Sequence, residues 1–223
     1  MKEWILKIWG WIMGKKKPKS PAKVERRAVR KEGILEKLRE LWDSSEVKDD
    51  YWQKAQGLVA AKITNNRFRY EEVERLLWKQ YQIQFPWEII ATIHAMEAGL
   101  SFEKNLHNGQ SWKKKTTWVP KGRGPFSSWE ESAMDAMSLK KHTIPDEWTI
   151  SKTLDFLEKY NGLGYRKYHP YVNSPYLWSG TNHYEKGKYV ADGKWDKDAV
   201  SKQVGSVLIL KRLYYNGRSS QGE

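Results

Sequence analysis

The chain has no cysteine among its 223 residues. A disulfide framework, a thiolate zinc site and a thiol nucleophile are therefore excluded, and either redox compartment is tolerated. Its five histidines, His94, His107, His142, His169 and His183, fall in no HExxH pattern and no paired ligand spacing, so no metal is expected. Neither a glycine-rich phosphate loop nor a dinucleotide fingerprint is present, and no cofactor is expected. Repeats and low-complexity tracts are absent as well. No apolar run reaches the roughly 20 residues that a membrane-spanning helix needs.

What the chain has in excess is positive charge and tryptophan. It carries 40 Lys and Arg against 27 Asp and Glu, for a formal charge of +13, together with 13 Trp and 12 Tyr. That balance points to a polyanionic partner: nucleic acid, an anionic membrane surface or a bacterial cell wall. Residues 1–31 hold eleven Lys and Arg against two Glu, so nine of the thirteen net charges lie there. The remaining body is only mildly basic, which argues against nucleic acid, whose groove should be lined by the folded domain. Trp and Tyr beyond the needs of a core commonly line grooves that stack on flat ligand faces, sugars among them.

Within Met1–Gly14, Trp4, Ile5, Leu6, Ile8, Trp9, Trp11, Ile12 and Met13 stand beside Lys2, Glu3 and Lys7. This reads as an interfacial amphipathic helix suited to anionic lipid or lipopolysaccharide. The positive cluster Lys15, Lys16, Lys17 and Lys19 follows the apolar run instead of preceding it, unlike a cleavable signal peptide. Lys15–Lys31, with Pro18 and Pro21, reads as a charged, extended linker. Residues 1–31 are thus expected to be an appendage and residues 32–223 one folded, monomeric domain.

From Ile34 the period becomes helical, with Ile34, Leu35, Leu38, Leu41 and Trp42 on one face. The spacing predicts helices at about 34–47, 50–64, 69–82, 86–98, 128–141, 149–160 and 197–214. Pro86 suits a first helical turn, Ser128 with Glu131 forms a capping box, and Gly99 and Gly162 sit where helices should stop. Two long stretches between helices, 106–127 and 163–194, are rich in Gly, Asn, Thr, Tyr and Trp, as functional loops often are. Thr116–Val119 is a candidate strand of a small hairpin.

One carboxylate stands in apolar company. Glu97 follows Ile90 and Ile93 on its helix and precedes Leu100, with Met96 and Phe102 near in sequence. Desolvation by such neighbours favours the protonated form, as does the negative end of the helix dipole, and a general acid needs that proton near neutral pH. A surface Glu at a helix end is the plainer alternative from spacing alone.

Glu97, a small residue, then Ser101 and Phe102 resemble the Glu-Ser motif of goose-type lysozymes and soluble lytic transglycosylases, and Tyr160-Asn161-Gly162 resembles their Tyr-Asn-x-Gly motif. The wider stretch from Pro86 to about Leu213 is similar to a family of phage and prophage lysozyme-like proteins. The matching blocks are IHAMEAGLSFEKNLHNGQ, TTWVPKGRG, FSSWEESAMDAM and YNGLGYRKYHPYVNSPYLWSGTNHYEKGKYVADGKW. Two departures are plain: Ala98 stands where transglycosylases carry Ser, and no Gly-Leu-Met-Gln motif follows the Glu.

The resemblance implies an all-α fold with a small β-hairpin, a lysozyme-like two-lobed domain with an active-site cleft. It implies cleavage of peptidoglycan between N-acetylmuramic acid and N-acetylglucosamine, with Glu97 as general acid, by a protein made in the cytoplasm and acting in the periplasm or cell wall. A muramidase of endolysin type is the first expectation. A lytic transglycosylase and an inactive wall-binding protein are the alternatives. A hydrolase needs a second carboxylate; Glu103, Glu130, Glu131 and Asp135 are candidates, and Thr116 or Thr117 is the water-positioning alternative. Tyr165, Tyr176, Trp178, Tyr184 and Tyr189 are expected to offer faces to pyranose rings, and Asn173, Ser179, Asn182 and His183 to offer hydrogen bonds. Ser101, Asn108, Tyr160 and Asn161 complete the expected lining.

Overall fold

A computed structural model describes residues 21–219. The appendage helix expected at Met1–Gly14 lies outside the described residues. The first described element, α1 (Pro21–Asp43), runs unbroken across residues 31 and 32. Residues 21–31 are therefore helical and not an extended linker. Ala22, Glu25, Arg26, Arg27, Ala28 and Arg30 are mostly strong helix formers, and Pro21 occupies the first turn, where its missing N–H costs nothing.

α2 (Asp49–Leu58) widens into a π turn at Val59–Ile63 and then tightens through a 3-10 turn at Thr64–Asn66 into α3 (Arg67–Tyr81). α4 (Trp87–Ala98) follows after Pro86 and stops where Gly99 adopts a left-handed conformation, φ 59°. α5 (Trp129–Ser138) is capped as expected: the Ser128 hydroxyl accepts from the Glu131 N–H at 3.1 Å, and the Glu131 carboxylate accepts from the Ser127 N–H at 2.7 Å. α6 (Ile150–Asn161), the short α7 (Gly164–Tyr168) and α8 (Pro175–Trp178) lead to a hairpin, β1 (Lys188–Ala191) and β2 (Lys194–Asp196), and then to α9 (Ser206–Ser219).

The core forms around α4, in which Ile89 to His94, Met96 and Ala98 are all buried. A helix apolar all round belongs inside, and α4 packs against both α3 and α9. On other sides α3 packs on α5, α1 on α6, and α2 and α8 on α9. Six of the 13 tryptophans are used here. Trp129 and Trp178 are fully buried, while Trp42, Trp87, Trp112 and Trp148 pack against the core.

Two expectations about local structure are corrected. The hairpin lies at 188–196, with Tyr189 opposite Trp195 and Asp192-Gly193 as its turn, not at Thr116–Val119. Around Thr116, side chains take the hydrogen bonds a partner strand would take. Gln110 Oε1 accepts from the N–H groups of Thr117 (2.9 Å) and Trp118 (3.0 Å), and Asn108 Nδ2 donates to the Trp118 carbonyl at 3.1 Å. The last helix begins at 206 and not 197, and just before it Gly205 lies against the end of α8: a Cβ there would stand 2.4 Å from the Leu177 carbonyl oxygen. Only glycine allows backbone to approach backbone so closely.

Candidate active site

Glu97 occupies the last turn of α4, one residue before the helix ends. The residue as a whole is exposed, as a Glu at a helix end would be, yet enough protein crowds its carboxyl that burial raises its pKa above the ordinary carboxylate value. The Tyr176 hydroxyl, donating to Glu97 Oε1 at 2.9 Å, and the Lys140 charge oppose that rise without cancelling it. The Tyr160 ring lies under Lys140 Nζ (4.7 Å), and its phenol, pushed up by burial and by the Glu97 charge, donates to the Leu106 carbonyl at 3.0 Å.

Tyr176, which bonds this carboxyl, also lines a cavity of about 520 Å³; Glu97 itself is not part of its wall. The walls are Asn161 and Gly162 at the end of α6, Tyr165 and Tyr168 of α7, Tyr176 of α8, Lys188, Tyr189 and Asp192 of the hairpin, and Gln203. Gln203 Nε2 donates to the Met96 carbonyl at 3.0 Å and so ties the segment before α9 to the turn that carries Glu97. The hairpin wall is held by rings: His169 stacks on Trp195 at 3.6 Å between centroids, and Tyr189 packs edge-on to Tyr165 at 5.4 Å.

The loop after α4 closes the other side. A Cβ on Gly109 would lie 3.8 Å from the Glu97 carbonyl oxygen. Asn105 Oδ1 accepts from the N–H groups of His107 and Asn108, both at 3.1 Å. Asp135 of α5 anchors the loop: it meets His107 Nε2 at 2.7 Å and Arg123 Nε at 2.8 Å, with a second contact to Arg123 Nη2. Burial lowers the His107 pKa despite that carboxylate.

Several expected site residues belong elsewhere. Thr116, 4% exposed, is no candidate for positioning water, because its hydroxyl donates to the Pro120 carbonyl at 2.5 Å and accepts from the Arg123 N–H at 3.0 Å. Thr117 accepts from Gln110 Nε2 at 2.9 Å and helps hold the same loop. Glu103 extends into solvent and pairs with Lys113 at 2.7 Å. Glu130 is committed to Arg69, Glu131 to its cap and Asp135 to the loop anchor.

Trp178 (1% exposed) and Tyr184 (4%) are core residues, not sugar platforms. Their rings were needed to fill the space beneath a loop that has little regular structure. Ser179 donates to the Ser201 carbonyl at 3.2 Å. Asn182 bonds the Glu46 N–H (3.0 Å) and the Ser44 carbonyl (3.2 Å), and His183 meets the Ser44 hydroxyl at 3.1 Å, so both fasten the end of α1. Asn173 donates to the His183 carbonyl at 3.1 Å and lines a different, smaller cavity beside α1. Ser101 shapes the turn after α4 through its N–H to the Ala98 carbonyl at 3.1 Å, and Asn108 is spent on the Trp118 carbonyl.

The structure thus brings together Glu97, Tyr160 and Tyr176, and places Asn161, Tyr165 and Tyr189 on the adjoining cavity. Sequence reasoning missed Lys188, Asp192 and Gln203. The Asp192-Gly193 pair flanked by Tyr189, Val190 and Trp195 is a strong hairpin signal, and reading it would have put Asp192 on a turn. Gln203 gave no signal. Among the described residues no cluster of His, Asp or Glu could hold a metal ion, and no helix is long and apolar enough to cross a membrane. No protein-family model, curated protein or solved structure matches this chain.

Proposed function

We propose that this chain is a peptidoglycan-cleaving glycosidase with a lysozyme-like cleft, in which Glu97 protonates the glycosidic oxygen leaving between N-acetylmuramic acid and N-acetylglucosamine. The observation that carries the reading is the Glu97 carboxyl: its pKa raised by burial, and held at Oε1 by Tyr176, a residue that also lines a tyrosine-rimmed cavity of about 520 Å³. A raised pKa keeps the acid protonated nearer to neutral pH, and Tyr176 fixes which oxygen points to the substrate. The tyrosine faces suit the C–H surfaces of pyranose rings. The sequence blocks that resemble phage and prophage lysozyme-like proteins run through these same residues.

One observation favours the lytic transglycosylase within this class. Glu103, Glu130, Glu131 and Asp135 are each engaged away from Glu97, so the carboxylates proposed as its partner are not free to act. A lone Glu that gives and later recovers a proton needs no partner, because the muramyl hydroxyl closes the ring. Asp192 lines the cavity and is the candidate second acid for a hydrolase. Mass spectrometry of fragments from purified peptidoglycan separates the two: 1,6-anhydro ends mark the transglycosylase, reducing ends the hydrolase. Absence of any cleaved glycan would overturn both.

A further inference from the structure

The loop tip Thr117–Lys121 presents two large apolar side chains to solvent, Trp118 at 63% and Val119 at 80% exposure. Apolar groups on a floppy loop would fold inward or average out. Here the backbone is built to hold them outward. The neck is closed by the Thr116 N–H to the Arg123 carbonyl (2.9 Å) and the Gly122 N–H to the Thr116 carbonyl (2.8 Å). Thr116 Oγ1 braces the inside of the loop through Pro120 and Arg123, and Gln110 and Asn108 tie down the N–H and carbonyl of Trp118. Arg123 then fixes the whole to α5 through Asp135.

Charge around the tip has one sign. Lys114, Lys115 and Lys121 are exposed and make no ion pair among the described residues, while Lys113 is taken by Glu103. Because residues 116 and 122–123 are paired at the neck, Lys115 and Lys121 flank the base of the tip. An aliphatic Val beside a Trp, ringed by free lysines, matches the interfacial region of an anionic bilayer: hydrocarbon for the side chains, headgroup phosphate for the ammonium groups. A glycan or a nucleic acid would use the ring but leave Val119, the most exposed large apolar side chain among the described residues, without a purpose.

We propose that the Thr117–Lys121 tip is a docking loop that enters the headgroup region of anionic lipid membranes. The inference is independent of the reaction at Glu97. It also requires no contribution from residues 1–20, although their Trp and Lys content is of the same kind.

The test uses the full chain and exploits the absence of cysteine. The Val119→Cys protein carries a single environment-sensitive dye and is mixed with vesicles of equal parts phosphatidylglycerol and phosphatidylcholine, or of phosphatidylcholine alone. A blue shift is expected with the anionic vesicles only, reversed by high salt. In cosedimentation, Trp118→Ser with Val119→Ser should weaken vesicle binding by about tenfold or more, and Lys115→Glu with Lys121→Glu by at least about fivefold per lysine. Unchanged melting of these surface variants checks folding. Binding without a dye shift, no binding, an equal shift on neutral vesicles, or a shift produced by peptidoglycan fragments and not by vesicles overturns the proposal.

Discussion

Replacing Glu97 by Gln removes the titratable acid proton and little else. The amide keeps an oxygen at Oε1, so the 2.9 Å hydrogen bond from Tyr176 survives, and the volume at the end of α4 is conserved. Loss of a positioned general acid costs about 10²- to 10⁴-fold in rate, equivalent to about 3–5 kcal/mol of barrier. Stability should move the opposite way. Burial raises the Glu97 pKa in the folded state, so between the unfolded value and that raised value the folded protein binds more protons than the unfolded chain. The stability of the parent protein therefore falls as pH rises through this window, and a neutral amide avoids the loss. Glu97→Gln should melt higher than the parent at pH 7 and with little difference at pH 4. Dye release from labelled cell walls, paired with thermal melts at both pH values, measures the two effects together. A variant that keeps a tenth of the activity, or that melts lower than the parent at pH 7, would refute the reasoning.

Other perturbations follow from the same geometry. His94 is fully buried, with Tyr70 Oη 3.0 Å from Nδ1, and burial lowers its pKa to about 4. The unfolded chain protonates first, so about 3 kcal/mol of stability should be lost as pH falls from about 6.5 to about 4; urea titrations that show the same slope in His94→Gln would contradict this. Trp178→Ala should cost about 3–5 kcal/mol of stability while the folded fraction binds chitooligosaccharide as the parent does; weaker binding with unchanged stability would return Trp178 to the site. Gly205→Ala drives a Cβ onto the Leu177 carbonyl oxygen and should destabilise by about 1–3 kcal/mol or more, as read by denaturant midpoint. Asp135→Asn should loosen the loop that Arg123 and His107 hold, seen as faster amide exchange across residues 105–126 with slower exchange elsewhere unaffected.

The helical part of this fold was legible because its signals are local. Caps and stops at Ser128, Gly99 and Gly162 and the apolar period of α3 to α6 place those helices to within a few residues. Glu97 stood out for a related reason: α4 carries two acids, Glu88 in its first turn and Glu97 in its last, and apolar residues flank the second in sequence. What escaped depends on contacts far apart in sequence. Trp178 and Tyr184 look the same in a string whether they line a groove or fill a core, and only the packing of α9 and α1 around them decides. Asn182 and His183 carry sugar-binding chemistry but spend it on Ser44 and Glu46, more than 130 positions earlier. The Thr116 loop imitates a strand by composition, yet the side chains of Asn108 and Gln110 satisfy its backbone first. Gln203 acts only through a backbone carbonyl across the fold, a role that no residue type announces.

The central claim is that a protonated Glu97 cleaves peptidoglycan, and the rate of soluble fragment release from purified peptidoglycan as a function of pH tests it most directly. The account predicts fragments at mildly acidic pH and a rate that declines as pH rises through a limb above the ordinary carboxylate range, since burial raises the acid's pKa. A rate that climbs through that same range, or no fragments at any pH, would contradict it.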